Sequence, residues 1–182
     1  ATARLGSGTA SSSTFLRGDQ TYAAAGGGKV LQVVQGTSSI SFSQTSPTNG
    51  TIYYPSSNKL TASITPSLTS SKILVQFVTS LRMDSTSGDM GMGTAMQQII
   101  SGGSTTTIQA GGASSKPYSS GFYFSGTIAP DTRVRINEIV LLSPSTTSAI
   151  TYEVGIAGYN VTLIRMNDDD TTGRIILTEV AV

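Results

Sequence analysis

The apolar residues of this chain recur with a period of two over much of its length, and nowhere with helical spacing sustained beyond a turn or two. Lys72–Arg82, KILVQFVTSLR, is the strongest case. Ile73, Val75, Phe77, Thr79 and Leu81 fall on one face of a strand and Leu74, Gln76, Val78 and Ser80 on the other, so the first set is expected to meet an opposing sheet. Leu60, Ala62 and Ile64 alternate with Thr61, Ser63 and Thr65 until Pro66 ends the run. In the last third, 133–142, 149–157, 159–166 and 174–182 read as four strands joined at Pro144, Gly158, Asp168–Asp170 and Gly173. Shorter strands are predicted over 38–42, 51–54 and 94–100, with Asn49-Gly50 as a hairpin signal. Lys29–Gln35, KVLQVVQ, breaks the alternation. Val30, Leu31, Val33 and Val34 are nearly continuous, as in a strand buried on both faces or lying at an interface.

Two stretches, 84–93 and 101–116, read as polar loops, and Tyr118, Phe122, Tyr123 and Phe124 form the densest aromatic patch. With no helical stretch and no fixed-period repeat, the pattern predicts an all-β fold, an antiparallel β-sandwich of jelly-roll type. Residues 29–182 make up that head. Residues 1–28 precede it as an extended arm, rich in Gly, Ser, Thr and Ala and too poor in apolar area to fold alone.

The arm carries a resemblance. Its string LGSGTASSSTFLRGDQTY, Leu5–Tyr22, resembles the LGSGTxSSxxFLRGDGTW linker of bacteriophage tail-fibre and other virion-fibre proteins, where it precedes a trimeric head. Gln20 stands where that pattern has Gly, and Tyr22 where it has Trp. SKILVQF, SPSTTSAITYEV and the closing GRIILTEVAV are similar to segments of phage-fibre jelly-roll heads, whereas 84–128 matches none of them. The resemblance implies a homotrimeric virion structural protein, a tail-fibre head that adheres to the bacterial surface, with its arm docking on other virion proteins. Phe15, Leu16 and Tyr22 are then the arm's oligomerisation residues. The variable 84–128 region is where a partner-specific surface is expected, and the bound partner on a host cell would be a glycan. A capsid-attached decoration or head-fibre protein is the alternative, separable by labelling the virion. A stand-alone carbohydrate-binding module is a further one, expected to be a monomer whose sugar binding survives loss of residues 1–28.

Composition narrows the chemistry. The chain has 182 residues, 11 basic against 10 acidic, no His and no Cys. Without clustered positive charge a nucleic-acid partner is not expected. No apolar run approaches the roughly 18 residues of a membrane-spanning helix, so membrane insertion is not expected either. Absence of His and Cys removes the usual nucleophilic triads, thiolate and imidazole metal sites, and disulfides. Ser and Thr amount to roughly 30% of the chain, suited to loops and outward strand faces.

Glu138, Glu153 and Glu179 lie on predicted strands, and two carboxylates would suffice for glycoside hydrolysis. They are expected instead to face solvent or pair with Arg133, Arg135 or Arg165, and the protein is read as no enzyme and without cofactor or metal. Asp168, Asp169 and Asp170 lack the spacing of a calcium loop and are expected in a solvated turn. Arg17-Gly18-Asp19 is accounted for by the linker pattern. The ligand-binding candidates are Tyr118 and Tyr123, as aromatic faces that stack on sugar rings, and Met90 and Met92, adaptable apolar side chains, with Tyr53 and Tyr54 similar. Phe122 and Phe124 suit alternate core positions.

Overall fold

A computed structural model describes residues 7, 9, 11, 14–24, 29–84, 88–109, 119–126, 131–168 and 171–181. In the arm, β1 (Thr14–Leu16) and β2 (Tyr22–Ala24) pair as a hairpin of their own. Thereafter come β3 (Val30–Ser38), β4 (Phe42–Thr45), β5 (Ile52–Tyr53), β6 (Thr61–Ile64) and β7 (Lys72–Asp84). The middle of the chain supplies β8 (Met90–Ile100), β9 (Thr105–Gln109) and β10 (Ser120–Phe124). The last third supplies β11 (Thr132–Leu142), β12 (Ile150–Tyr159), β13 (Leu163–Met166) and β14 (Gly173–Val180). No described residue is helical.

The head is two six-stranded antiparallel sheets, the all-β sandwich that the alternation predicts. In the first, β8 and β12 lie side by side; β10 and β9 share the free edge of β8, and β5 and β6 the free edge of β12. In the second, β7 is central. Its whole length pairs with β11 on one side, while β14 and β13 divide its other side and carry β3 and β4 beyond them. Thirteen residues long, β7 alternates strictly, and its inward Ile73, Val75, Phe77, Leu81 and Met83 are buried against Met90, Met92 and Met96 of β8 and Ile150, Val154 and Ile156 of β12. Full burial of such a side chain contributes about 1.5–3 kcal/mol.

Two loops of the sequence reading contain strands. The 84–93 stretch already belongs to β8 from Met90 onward, and 101–116 contains β9. The Met90–Gly93 alternation is short and carried by glycine, the Thr105–Thr107 run has no apolar alternation, and cross-strand pairing with β12 and β8 supplies what local pattern lacks.

Two glycines set how closely layers approach. A Cβ on Gly36 in β3 would overlap the Thr61 carbonyl of β6. One on Gly155 in β12 would sit 2.7 Å from the Tyr54 ring, which lies against that backbone. In the arm, Arg17–Thr21 closes the hairpin. The Asp19 carboxylate accepts from Thr21 N at 3.1 Å and Thr21 Oγ1 at 2.6 Å, which holds it below its ordinary pKa. Gln20, where the fibre-linker pattern has Gly, takes φ +63°, a left-handed region that glycine adopts without strain.

Buried carboxylates lock the layers. Glu179 of β14 is 0% exposed; Oε1 accepts from Ser67 N at 2.6 Å, and Oε2 from Gln32 Nε2 at 2.6 Å and Ser67 Oγ at 3.1 Å. Burial opposes its ionisation, but the hydrogen bonds from Gln32 and Ser67 outweigh that and hold the carboxyl below its ordinary value. Glu153, 1% exposed, pairs with Lys59 at 3.0 Å and accepts from Gln97 Nε2 at 3.0 Å. Glu138 accepts from Ser119 Oγ at 3.0 Å; burial pushes it up, and that hydrogen bond only partly opposes the shift. Glu153 and Glu179 therefore do not take the solvated or arginine-paired positions expected of them, and Glu138 is half-buried beside Ser119. Arg133 and Arg165 are engaged instead with Asp131 and Asp168.

Candidate functional site

Two surfaces of the head concentrate chemistry. One is the β10 edge. Tyr123 of β10 and Tyr159 of β12 both pair with Gly91 of the intervening β8, so they stand on the same face with no side chain between them. The rings lean over that gap to a centroid separation of 6.3 Å at 39°. Tyr123 is 47% exposed and Tyr159 half-buried. Immediately beyond, Asn160 takes φ +51° and exchanges hydrogen bonds with Asn49: its N–H donates to Asn49 Oδ1 at 2.9 Å, and Asn49 Nδ2 donates to its Oδ1 at 2.8 Å. Asn160 Nδ2 donates to the Asp89 carbonyl at 3.0 Å, and Ser125 Oγ to Asp89 Oδ1 at 2.8 Å. Two phenol rings beside fixed amides and a carboxylate offer a flat apolar surface next to hydroxyl-matching groups, with side chains already ordered.

The sequence candidates divide accordingly. Tyr123 is in the site. Tyr118 lies outside the described residues. Met90 and Met92 are corrected: at 0% and 1% exposure they point into the core, because Gly91 between them takes the outward position and the period of two turns both methionines inward. Their adaptable side chains fill the sandwich instead, with Phe124 packed against that core; Phe122, whose ring stacks on Phe124 at 6.5 Å, is 41% exposed and does not take the core position expected of it. Tyr53 is tied down by Thr48 N, which donates to its hydroxyl at 2.8 Å, and Tyr54 is half-buried against Gly155. Sequence reasoning missed Tyr159, Asn160 and Asn49; only β-sheet register brings them beside Tyr123.

Of the arm residues, Leu16 and Tyr22 pair across the hairpin, Leu16 being 43% exposed, and Phe15 pairs with Ala23 through its backbone.

The second surface is an ionic cluster at the β13 end of the other sheet. Arg82 reaches Asp131 at 2.7 Å, Asp84 at 3.2 Å and Asp168 at 3.3 Å; Arg133 reaches Asp131 at 3.0 Å, and Arg165 reaches Asp168 at 3.4 Å. Asp168 is thus not a solvated turn residue: it is 7% exposed, because three guanidinium groups converge on it. Asp169 and Asp170 lie outside the described residues. A depression of ≈ 320 Å³ opens beside the cluster, bordered by Ser80, Arg133, Arg135 and Thr171. Three Asp matched by three Arg leave no net charge, and among the described residues no group of three or more acidic side chains is arranged to hold a metal ion. This is a structural lock that satisfies buried charge.

No protein-family model matches the chain, and no curated protein matches it. Solved structures that it resembles include three of infectious bursal disease virus. The Gx strain structure shares 11% identity at a TM-score of 0.35, and the Gt strain structure 12% at 0.30. A crystal structure of that virus's particle shares 13% at 0.34. Each alignment covers 88% of this chain; the chain spans 42% of the two strain structures' chains and 39% of the third. Likeness this slight carries no functional argument.

Proposed function

We propose that this chain is a virion structural protein, the homotrimeric head of a phage tail fibre, which adheres to a bacterial surface glycan through the Tyr123–Tyr159 edge. The observation that carries the reading is the fibre-type linker string, Leu5–Tyr22, running into an all-β sandwich of two six-stranded sheets. Support for the glycan comes from the site itself. Tyrosine rings receive the C–H face of a pyranose, and Asn49, Asn160 and Asp89 lie where its hydroxyls would reach. A shallow, exposed pair of rings gives weak affinity per site. Three copies on one fibre raise it through effective concentration, by about 10²–10⁴ when geometry allows simultaneous engagement.

The test is binding of the purified full chain to a panel of immobilised bacterial surface polysaccharides. Tyr123→Ala is expected to weaken the retained glycan by about tenfold, equivalent to about 1.4 kcal/mol per site. Retention of no polysaccharide, or retention by Tyr123→Ala and Tyr159→Ala equal to that of wild type, would overturn the glycan assignment.

A further inference from the structure

The outward face of the β11–β7–β14–β3 sheet carries several large aliphatic side chains in exposed positions, interspersed with Thr and Gln. Cross-strand register places Leu141, Leu74, Thr178 and Val33 in one row, and Ile139, Gln76, Ile176 and Gln35 in the next. Val30 extends the patch beside Val180. Val30, Val33, Ile139 and Leu141 are 61, 60, 58 and 54% exposed. Val34 meanwhile packs inward, so the near-continuous apolar run of β3 has only one of its two faces covered. Four strands about 4.8 Å apart, each some eight residues at about 3.4 Å, span a flat footprint of roughly 500 Å². That footprint, shared among Leu, Ile, Val, Thr and Gln side chains, is more than half of the about 800 Å² per partner in stable interfaces.

We infer that this face is covered by a further copy of the same chain. Three features favour that occupant. The arm joins the head at Val30, on this face: Ala24 and Val30 are six residues apart, so the near end of the hairpin, at Ala24, stays within about 20 Å of Val30. Any association of arms therefore brings β3 of one copy close to another. β3 is also the outer strand beyond β14, and pairing or packing there removes an exposed edge. Thirdly, the charged positions around the patch, Lys72, Arg174 and Arg135, lie at its margin, which leaves its centre free of charge to desolvate. The inference rests on the assembly reading above and says which surface of the head carries it.

Light scattering on the full chain, alongside Val33→Lys/Ile139→Lys, tests it. Both positions are exposed, so the substitutions leave the sandwich intact, and far-UV circular dichroism checks that. The expected result is wild type at three times 18.8 kDa and the variant at one, with at least a 100-fold weaker assembly. Assembly of the variant equal to wild type overturns the face while leaving the trimer standing. A monomeric wild type overturns both, and a monomer that binds vesicles of anionic lipid gives the face to a membrane instead. Hydrogen exchange on wild type alone supplies a check independent of the variant: amides of β3 gain protection as concentration rises, and concentration-independent exchange there overturns the inference.

Discussion

Replacing Glu179 by Ala isolates one lock on this sandwich. Its carboxylate is 0% exposed and ties the loop after β6 to β14 and β3 through Ser67 N at 2.6 Å, Gln32 Nε2 at 2.6 Å and Ser67 Oγ at 3.1 Å. Hydrogen bonds to a charged group contribute about 1.5–3 kcal/mol each, but Ser67 is exposed and water replaces part of its loss. The Gln32 amide keeps a second acceptor, the Thr65 carbonyl at 2.7 Å. The net cost should therefore be about 2–4 kcal/mol, a fall in Tm of about 5–15 °C for a chain of this size. The assay is urea and thermal unfolding of both proteins from acid to neutral pH. The folded carboxyl lies below its ordinary 4.5, so its contribution is complete above that pH and is lost as pH falls through the folded value. Wild type and variant should differ fully at pH 7 and converge in acid. A difference under about 0.5 kcal/mol at pH 7, or one that does not shrink on acidification, refutes the reasoning.

Two further outcomes follow from packing and charge. Gly36→Ala should cost about 3 kcal/mol or more in urea unfolding, because its methyl must displace the Thr61 backbone and not a side-chain tip; an unchanged midpoint would show that the sheets are not this close. Arg82→Leu leaves Asp84, Asp131 and Asp168 with only Arg133 and Arg165 between them, and should lower stability by about 1–3 kcal/mol at low salt, since the guanidinium is one-fifth exposed and partly screened. In 1 M salt the difference should narrow, and a salt-independent loss would trace the effect to packing instead.

Much of the fold was legible along the chain because burial in a sandwich has a period of two. The inward Ile73, Val75, Phe77 and Leu81 of β7 could be assigned by counting, and so could the inward Ile64 and Ala62 of β6. The same count, carried through Gly91, would have turned Met90 and Met92 inward; reading glycine-rich 84–93 as a loop hid it. The apolar continuity of β3 does not mean burial on both faces within one chain: Val30, Leu31 and Val33 are exposed, and only the other face packs inward.

The site and the locks were another matter. Tyr123 and Tyr159 are far apart in sequence, and their meeting over Gly91 depends on the registers of two strand pairs at once, which no local pattern encodes. Asp168 looked solvated because its neighbours are acidic; the arginines that bury it come from three different strands. The chain by itself determined what alternates, what cannot be a helix and which residue types are missing, since these are local and periodic. Which polar groups share a buried space, and which rings share a surface, was decided only by the packing of distant strands, where long-range register sets the neighbours that each charge and each ring must answer to.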